Sequence, residues 1–66
     1  MPWKLLLPQM VTARIGGGEH LVQAIDLDPM TRAIRVAYPP TEPDGSMIQK
    51  TEVQPGDYWP EVNDDG

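Results

Sequence analysis

One histidine and two nearby aspartates are the side chains in this sequence that suggest metal chemistry. Asp26 and Asp28 are two residues apart, which would place them on one face of a strand, and His20 precedes them. Carboxylates and imidazoles are common ligands of divalent cations. Simpler roles are available, because Asp28 precedes Pro29 in a turn-forming pattern and Asp26 can pair with Arg35. We therefore expect no metal site.

Three consecutive glycines, residues 16–18, could suggest a phosphate-binding loop. Such a loop joins a strand to a helix and usually carries Lys and Ser or Thr at fixed spacing. Here Glu19 and His20 follow, and a strand pattern resumes. The glycines predict a tight turn that uses positive φ.

No combination of residues predicts catalysis. A hydrolytic site needs a nucleophile, a base and an orienting carboxylate held together in a pocket. His20 is the only histidine, and it lies beside the glycine turn. We predict that the chain is not an enzyme and uses no cofactor.

Large apolar side chains near both ends of the chain are candidates for binding a protein partner. A tryptophan followed by leucines on a short extended arm can anchor an interface. Core packing is the preferred interpretation for Leu5 and Leu7, and both interpretations are open for Trp3. A second aromatic pair lies near the C-terminus. The predicted partner-binding residues are Trp3, Leu5, Leu6, Tyr58 and Trp59.

Acidic residues dominate the second part of the chain, and the formal net charge of the whole sequence is −5. This charge disfavours nucleic acid and anionic membranes as partners and favours a basic protein surface. Arginines and aromatics elsewhere leave binding of a single nucleic acid strand as a weaker alternative. The predicted acidic surface comprises Glu42, Asp44, Glu52, Asp57, Glu61, Asp64 and Asp65.

A proline-rich stretch links the middle of the chain to its acidic part. Pro40 and Pro43 have the spacing of a polyproline II ligand, but the basic neighbour that such ligands commonly carry is missing. A stiff connector is the preferred interpretation.

Residues 21–38 predict a β-hairpin about a turn at residues 28–31. Alternation places Leu21, Ile25 and Leu27 on one face of its first arm, and Ile34, Val36 and Tyr38 on one face of its second. Pairing Leu27 with Arg32 would pair Ile25 with Ile34 and Gln23 with Val36, so that both apolar sets share a side. The opposite face, with Asp26 and Arg35 as a diagonal pair, is expected to be partly open to water.

Alternating patterns predict further strands at residues 9–15, 46–53 and 58–60. The last of these strands is expected to dock the Trp59 indole. Residues 54–57 predict a type II turn. We therefore predict an all-β chain: a small SH3-like barrel or a strongly curved antiparallel sheet of four to five short strands. The predicted organisation is an apolar arm (residues 1–8), one β domain (residues 9–60) and an acidic tail (residues 61–66) that is disordered unless held. The motifs of signalling SH3 domains are absent, so no family is assigned.

Sixty-six residues without cysteine form one small domain whose stability depends on β pairing, a modest core or a partner. The leucines at residues 5–7 are too few to span a membrane, which predicts a soluble protein, cytoplasmic or within a virion or assembly. We expect a non-enzymatic interaction or structural accessory subunit, of the kind common in viruses and mobile elements, and self-association is compatible with it. The alternative is an acidic inhibitor that mimics nucleic acid and occupies a basic nucleic-acid-binding protein.

Overall fold

A computed structural model describes residues 3–39 and 49–64. Five strands form one antiparallel sheet: β1 (Lys4–Ile15), β2 (Gly18–Leu27), β3 (Ile34–Ala37), β4 (Lys50–Val53) and β5 (Tyr58–Trp59). Their order across the sheet is β4-β3-β2-β1-β5. The described residues contain no helix, and the all-β prediction is confirmed.

The sheet is not closed into a barrel. Its outer strands are β4 and β5, and these two are not paired with each other among the described residues. The predicted antiparallel sheet is therefore confirmed, and the predicted closed barrel is not. No helix in the described part of the chain is long and apolar enough to cross a membrane.

Two of the predicted turns are confirmed. Gly16 and Gly17 have φ values of 60° and 83°, and Ile15 pairs with Gly18 across them, which makes a two-residue hairpin turn. Between β4 and β5, the Asp57 amide donates to the Gln54 carbonyl at 3.0 Å, and Gly56 has a φ of 96°. Proline followed by a positive-φ glycine is the pattern of a type II turn.

The predicted register between β2 and β3 is wrong. The observed pairs are Leu27 with Ile34, Asp26 with Arg35, and Ala24 with Val36. Asp28 does begin the turn, since its side chain accepts a hydrogen bond from the Met30 amide at 2.9 Å. The loop is longer than predicted, because the Asp28 amide bonds the Ala33 carbonyl and encloses residues 29–32.

An irregularity in β2 decides which of its side chains enter the core. The register shifts between Ala24 and Asp26, so Ile25 is an extra residue relative to β3. Ala24 and Leu27 consequently both face the core although they are three residues apart, and both are buried. Val22 lies on the core side instead of the predicted Leu21, which is 71% exposed.

One face of the sheet carries the hydrophobic core. Leu27, Ile34, Val11 and Val36 are its largest fully buried side chains. The complete cluster of buried residues is Leu6, Val11, Ala13, Val22, Ala24, Leu27, Ile34, Val36, Val53, Tyr58 and Val62. We call this side of the sheet the core face and the opposite side the outer face.

Both ends of the described chain are attached to the sheet. Strand β1 starts at Lys4, within the predicted arm, and Leu6 is buried in the core. At the other end Val62 is buried, and the Asn63 backbone exchanges two hydrogen bonds with the Gln9 side chain, at 2.8 and 2.9 Å. Residues 61–64 of the predicted acidic tail are thus held by the chain itself, and residues 65 and 66 lie outside the described residues.

Candidate partner-binding surface

The outer face of the sheet carries exposed apolar side chains on three neighbouring strands. Thr12 pairs with Leu21 on one side and with Trp59 on the other, which sets these three residues in a row across β2, β1 and β5. Met10 is two residues from Thr12 on the same face of β1. Exposed fractions are 71% for Leu21, 54% for Met10 and 37% for Trp59. We name Met10, Leu21 and Trp59 the outer apolar patch.

Arg14 borders this patch and contacts the Trp59 ring. Its guanidinium carbon lies 5.5 Å from the centroid of the Trp59 ring, within the range of a cation–π contact. Nη1 of the same side chain is 3.5 Å from the Asp57 carboxylate. The patch therefore has a polar rim, an arrangement that is typical of protein interfaces.

A cleft adjoins the outer apolar patch where β2 and β3 separate. Beyond the Ala24–Val36 pair, no further pairing joins these two strands in the described part of the chain. The space between them has a volume of about 550 Å³. Its lining consists of Met10, Glu19, His20, Leu21, Val22, Gln23, Ala37 and Tyr38.

Two aromatic rings meet at this cleft. The His20 and Tyr38 ring centroids are 4.6 Å apart, and His20 Nε2 lies 3.5 Å from the Tyr38 hydroxyl. Strand β4 positions Tyr38 through its backbone: the amide donates to the Gln49 carbonyl, and the carbonyl accepts from Thr51 Oγ1 at 2.8 Å. Tyr38 therefore stays beside β4 while the cleft opens on its other side.

A second polar cluster lies on the outer face at the opposite end of β2. Asp26 is directly opposite Arg35, only 5% exposed, and accepts two hydrogen bonds from that guanidinium. Hydrogen bonding to Asp26 raises the pKa of Arg35. The predicted pairing of these residues is confirmed, but the predicted diagonal geometry and water exposure of Asp26 are not. Lys50 Nζ also approaches Asp26, at 3.9 Å.

The predicted partner-binding residues fall into three groups in the structure. Leu6 and Tyr58 are buried in the core, where a partner cannot reach them. Trp3 is half-buried and covers Arg35, with 4.4 Å between the ring centroid and the guanidinium carbon. Leu5 and Trp59 are exposed, and the core packing expected for Leu5 and Leu7 is wrong, because the alternation of β1 buries Leu6 between them. Of the core and interface positions open to Trp59, the structure gives it the exposed outer face, because Tyr58 is buried and adjacent residues of a strand face opposite sides.

Met10, Leu21, His20 and Tyr38 belong to the surface but were not among the predicted binding residues. Leu21 was assigned to the core side of the hairpin but is exposed, whereas Tyr38, assigned to the same side, packs half-buried against the core as predicted. The alternation of Val22 and Ala24 is the signal that could have placed Leu21 outside. It competes with the Ile25–Leu27 alternation, and only the bulge at Ile25 reconciles the two.

Two of the predicted acidic residues form ion pairs within the described part of the chain. Asp57 pairs with Arg14, and Asp64 pairs with Arg32 at 3.0 Å. The hydrogen bond from Arg32 lowers the pKa of Asp64. Glu52 accepts a hydrogen bond from the Gln54 side chain at 2.8 Å, and Glu61 is exposed. Glu42, Asp44, Asp65 and the Pro40–Pro43 motif lie outside the described residues.

Each of the three residues that suggested metal chemistry contacts a different partner. Asp28 caps the β2–β3 loop, Asp26 binds Arg35, and His20 contacts Tyr38. Over residues 3–39 and 49–64, no three His, Asp or Glu side chains are grouped closely enough to hold a metal ion.

Comparison with known protein families, with curated proteins and with solved structures finds no match to this chain.

Proposed function

We propose that this chain is a non-enzymatic protein-interaction module that docks onto a larger assembly as an accessory or structural subunit. The observation that carries the proposal is the outer apolar patch, whose side chains are exposed on the same face of three neighbouring strands. Burying apolar surface is favourable by about 25 cal/mol per Å². A partner that covers this face would gain that free energy.

The surroundings of the patch support the same function. Arg14 and Asp57 supply a charged rim beside Trp59, and the cleft adds a concave region next to Met10 and Leu21. A flat apolar centre, a neighbouring groove and a polar border are the usual parts of a docking surface.

The finer fold and biological setting belong to this proposal as well. An SH3-like curvature is supported by the contact between β1 and β4, which are not neighbours in the sheet. A soluble accessory protein of a virus or mobile element, cytoplasmic or within a virion, is suggested by the small size alone, by analogy with other compact accessory proteins.

The experiment removes the patch without disturbing the core. Met10 and Leu21 are both changed to Gln, and the matched control is Met30→Gln, since Met30 is 73% exposed but lies in the β2–β3 loop. Tagged chains are used for affinity capture, with mass spectrometry of bound proteins and light scattering of the purified chain.

We expect the double variant to lose the partner or self-association that the wild type shows, and the Met30→Gln control to keep it. Both variants should retain the wild-type circular dichroism spectrum, because exposed positions contribute little to stability. Equal capture by the folded double variant would contradict the proposal.

The alternative, an acidic inhibitor that mimics nucleic acid, has less support. Asp57 and Asp64 are neutralised within the chain by Arg14 and Arg32, so they are poorly suited to present phosphate-like charge. The two functions differ in salt dependence, since charge mimicry weakens steeply with ionic strength and apolar docking does not. Loss of capture on raising the salt concentration, with the patch variants unaffected, would favour the alternative.

A further inference from the structure

We infer that the cleft between β2 and β3 binds an extended, basic peptide segment of a partner, which adds to the sheet as a strand along β2. This inference rests on the proposed interaction function and names the chemistry of the partner.

The backbone of β2 supplies the first argument. Residues 18–23 pair with β1 on one side, from Gly18 with Ile15 to Gln23 with Met10. Alternate residues of a strand direct their amide and carbonyl groups to opposite sides, so half of these groups face away from β1. Among the described residues, no strand pairing and no loop hydrogen bond meets those groups. An unpaired edge of this kind is a template for an added strand.

The shape of the cleft supplies the second argument. The edge of residues 18–23 is recessed, because Ala37 and Tyr38 stand on its far side. The Tyr38 backbone is bonded to Gln49 and Thr51 on the far side of the cleft, while its ring reaches His20 of β2. A strand in this position would contact Leu21 and Met10 on the outer face and the His20–Tyr38 ring pair on the core face. Alternate side chains of the peptide would thus meet apolar and aromatic surface on both sides.

Charge supplies the third argument and selects a basic peptide. Glu19 lines the cleft, is exposed, and has no hydrogen bond or ion pair with any described residue. Arg14 lies directly opposite Glu19 on β1, but its Nη1 is 3.5 Å from the Asp57 carboxylate, and Lys50 on β4 lies 3.9 Å from Asp26. With a chain net charge of −5, a lysine or arginine near Glu19 is favoured.

The probe is a capped heptapeptide that alternates valine and lysine, titrated into the full ¹⁵N-labelled chain. We expect the largest amide shifts at residues 18–23 and at Ala37 and Tyr38. A control peptide carries N-methyl groups on alternate backbone nitrogens, which preserves charge and side chains but removes edge donors. The N-methylated peptide should bind about tenfold more weakly than the unmethylated one, because losing roughly one net hydrogen bond costs about that much affinity.

Variants of the chain test the charge argument. Glu19→Gln should weaken binding of the valine–lysine peptide about threefold, the size expected for one exposed charge pair. Glu61→Gln is the matched control, because Glu61 is an exposed carboxylate outside the cleft, and it should leave the affinity unchanged.

Three results would overturn the inference. Amide shifts spread over Glu52 and Glu61, with equal affinity for the N-methylated peptide, would indicate non-specific attraction to an acidic chain. Concentration-dependent shifts at residues 18–23 without peptide would identify a second copy as the occupant. If the peptide binds only to a variant in which residues 41–47 are replaced by glycine and serine, that segment of the chain itself occupies the cleft.

Failure of this inference is distinguishable from failure of the proposed function. If capture of a partner depends on Met10 and Leu21 but the peptide does not bind along β2, docking on the outer face stands and strand addition is wrong. If capture is indifferent to those residues, the docking function itself is contradicted.

Discussion

The two halves of β2 differ in how their edges are used. Residues 24–27 lie between β1 and β3, and a nearly buried ion pair, Asp26 with Arg35, joins the two strands there. Residues 18–23 are paired with β1 alone among the described elements. We call these the closed half and the open half of β2.

This difference suggests that stability and binding are assigned to separate parts of one strand. The C-terminal segment contributes further contacts beside the closed half, since Asp64 accepts hydrogen bonds from both Lys4 and Arg32. The open half carries exposed Leu21 and Glu19. Substitutions should therefore alter unfolding in the closed half and partner binding in the open half, and four predictions test this division.

The largest expected effect is that of Leu27→Ala in the closed half. Leu27 is fully buried, so its truncation should reduce the free energy of unfolding by about 2–4 kcal/mol. Leu21→Ala in the open half should change it by less than about 0.5 kcal/mol. Urea denaturation followed by circular dichroism measures both. If Leu27→Ala does not fold, Ile34→Val should still show a loss of about 0.5–1.5 kcal/mol. Equal losses for Leu27→Ala and Leu21→Ala would remove the distinction between the halves.

A smaller effect is expected for Asp26→Asn. This change leaves Arg35 without its carboxylate partner on a mostly covered surface, and should cost about 1–3 kcal/mol. The control is Asp57→Asn, whose pair with Arg14 is exposed and contributes about 0–1 kcal/mol. Urea denaturation midpoints of the two variants measure the difference in stability, provided that the dependence of the unfolding free energy on urea concentration is the same in both. A larger loss for Asp57→Asn would mean that the Asp26 pair does not stabilise the closed half.

The next effect concerns Tyr58, whose hydroxyl donates to the Arg32 carbonyl at 2.6 Å and so holds the β2–β3 loop. Tyr58→Phe should cost about 1 kcal/mol. Burial raises the pKa of Tyr58, so its neutral form stabilises the fold fully below the ordinary tyrosine pKa of about 10, and this contribution is lost as pH rises from there through the raised value. Wild-type stability should therefore fall in alkali more than that of the variant. Tyr38→Phe is the control, and the same alkaline loss in Tyr58→Phe would exclude Tyr58 as its source.

The smallest effect is expected for Asp64→Asn at the end of the C-terminal segment. Because the pKa of Asp64 is lowered by Arg32, its charged form stabilises the fold above the ordinary aspartate pKa, and this contribution is lost as pH falls through the lowered value. The variant should be less stable than wild type at neutral pH, and the two should converge in strong acid. Thermal unfolding across the acidic range measures this. A constant difference at every pH would assign the effect to packing.

Much of the local structure was predictable because it depends on neighbouring residues. The glycine turn, the proline–glycine turn and the Asp28 loop start follow from allowed φ values and short-range hydrogen bonds. The core face of β3 also followed from simple alternation, since Ile34 and Val36 are buried as predicted. Of the candidate surface only Trp59 was predicted; Leu5 is also exposed but lies opposite Asp26, away from the patch.

Other features depend on contacts between residues far apart in the chain. Leu6 and Val62 are buried because β1 and the C-terminal segment meet, and Gln9 joins them through the Asn63 backbone. Trp3 covers Arg35 rather than standing free. The spacing of residues in the sequence carries no information about contacts between distant segments, so the N-terminal arm and the C-terminal tail were predicted as segments separate from the β domain.

The amino-acid sequence by itself determined an acidic, all-β chain with strands broken by glycine and proline, because backbone conformational preferences and alternation act locally. The tertiary structure decided which half of β2 is covered and which residues remain outside. The physical reason is the bulge at Ile25: one extra residue reverses the faces of a strand whose side chains alternate with period two. Leu21 is exposed beside the cleft because that reversal buries Val22 and Ala24.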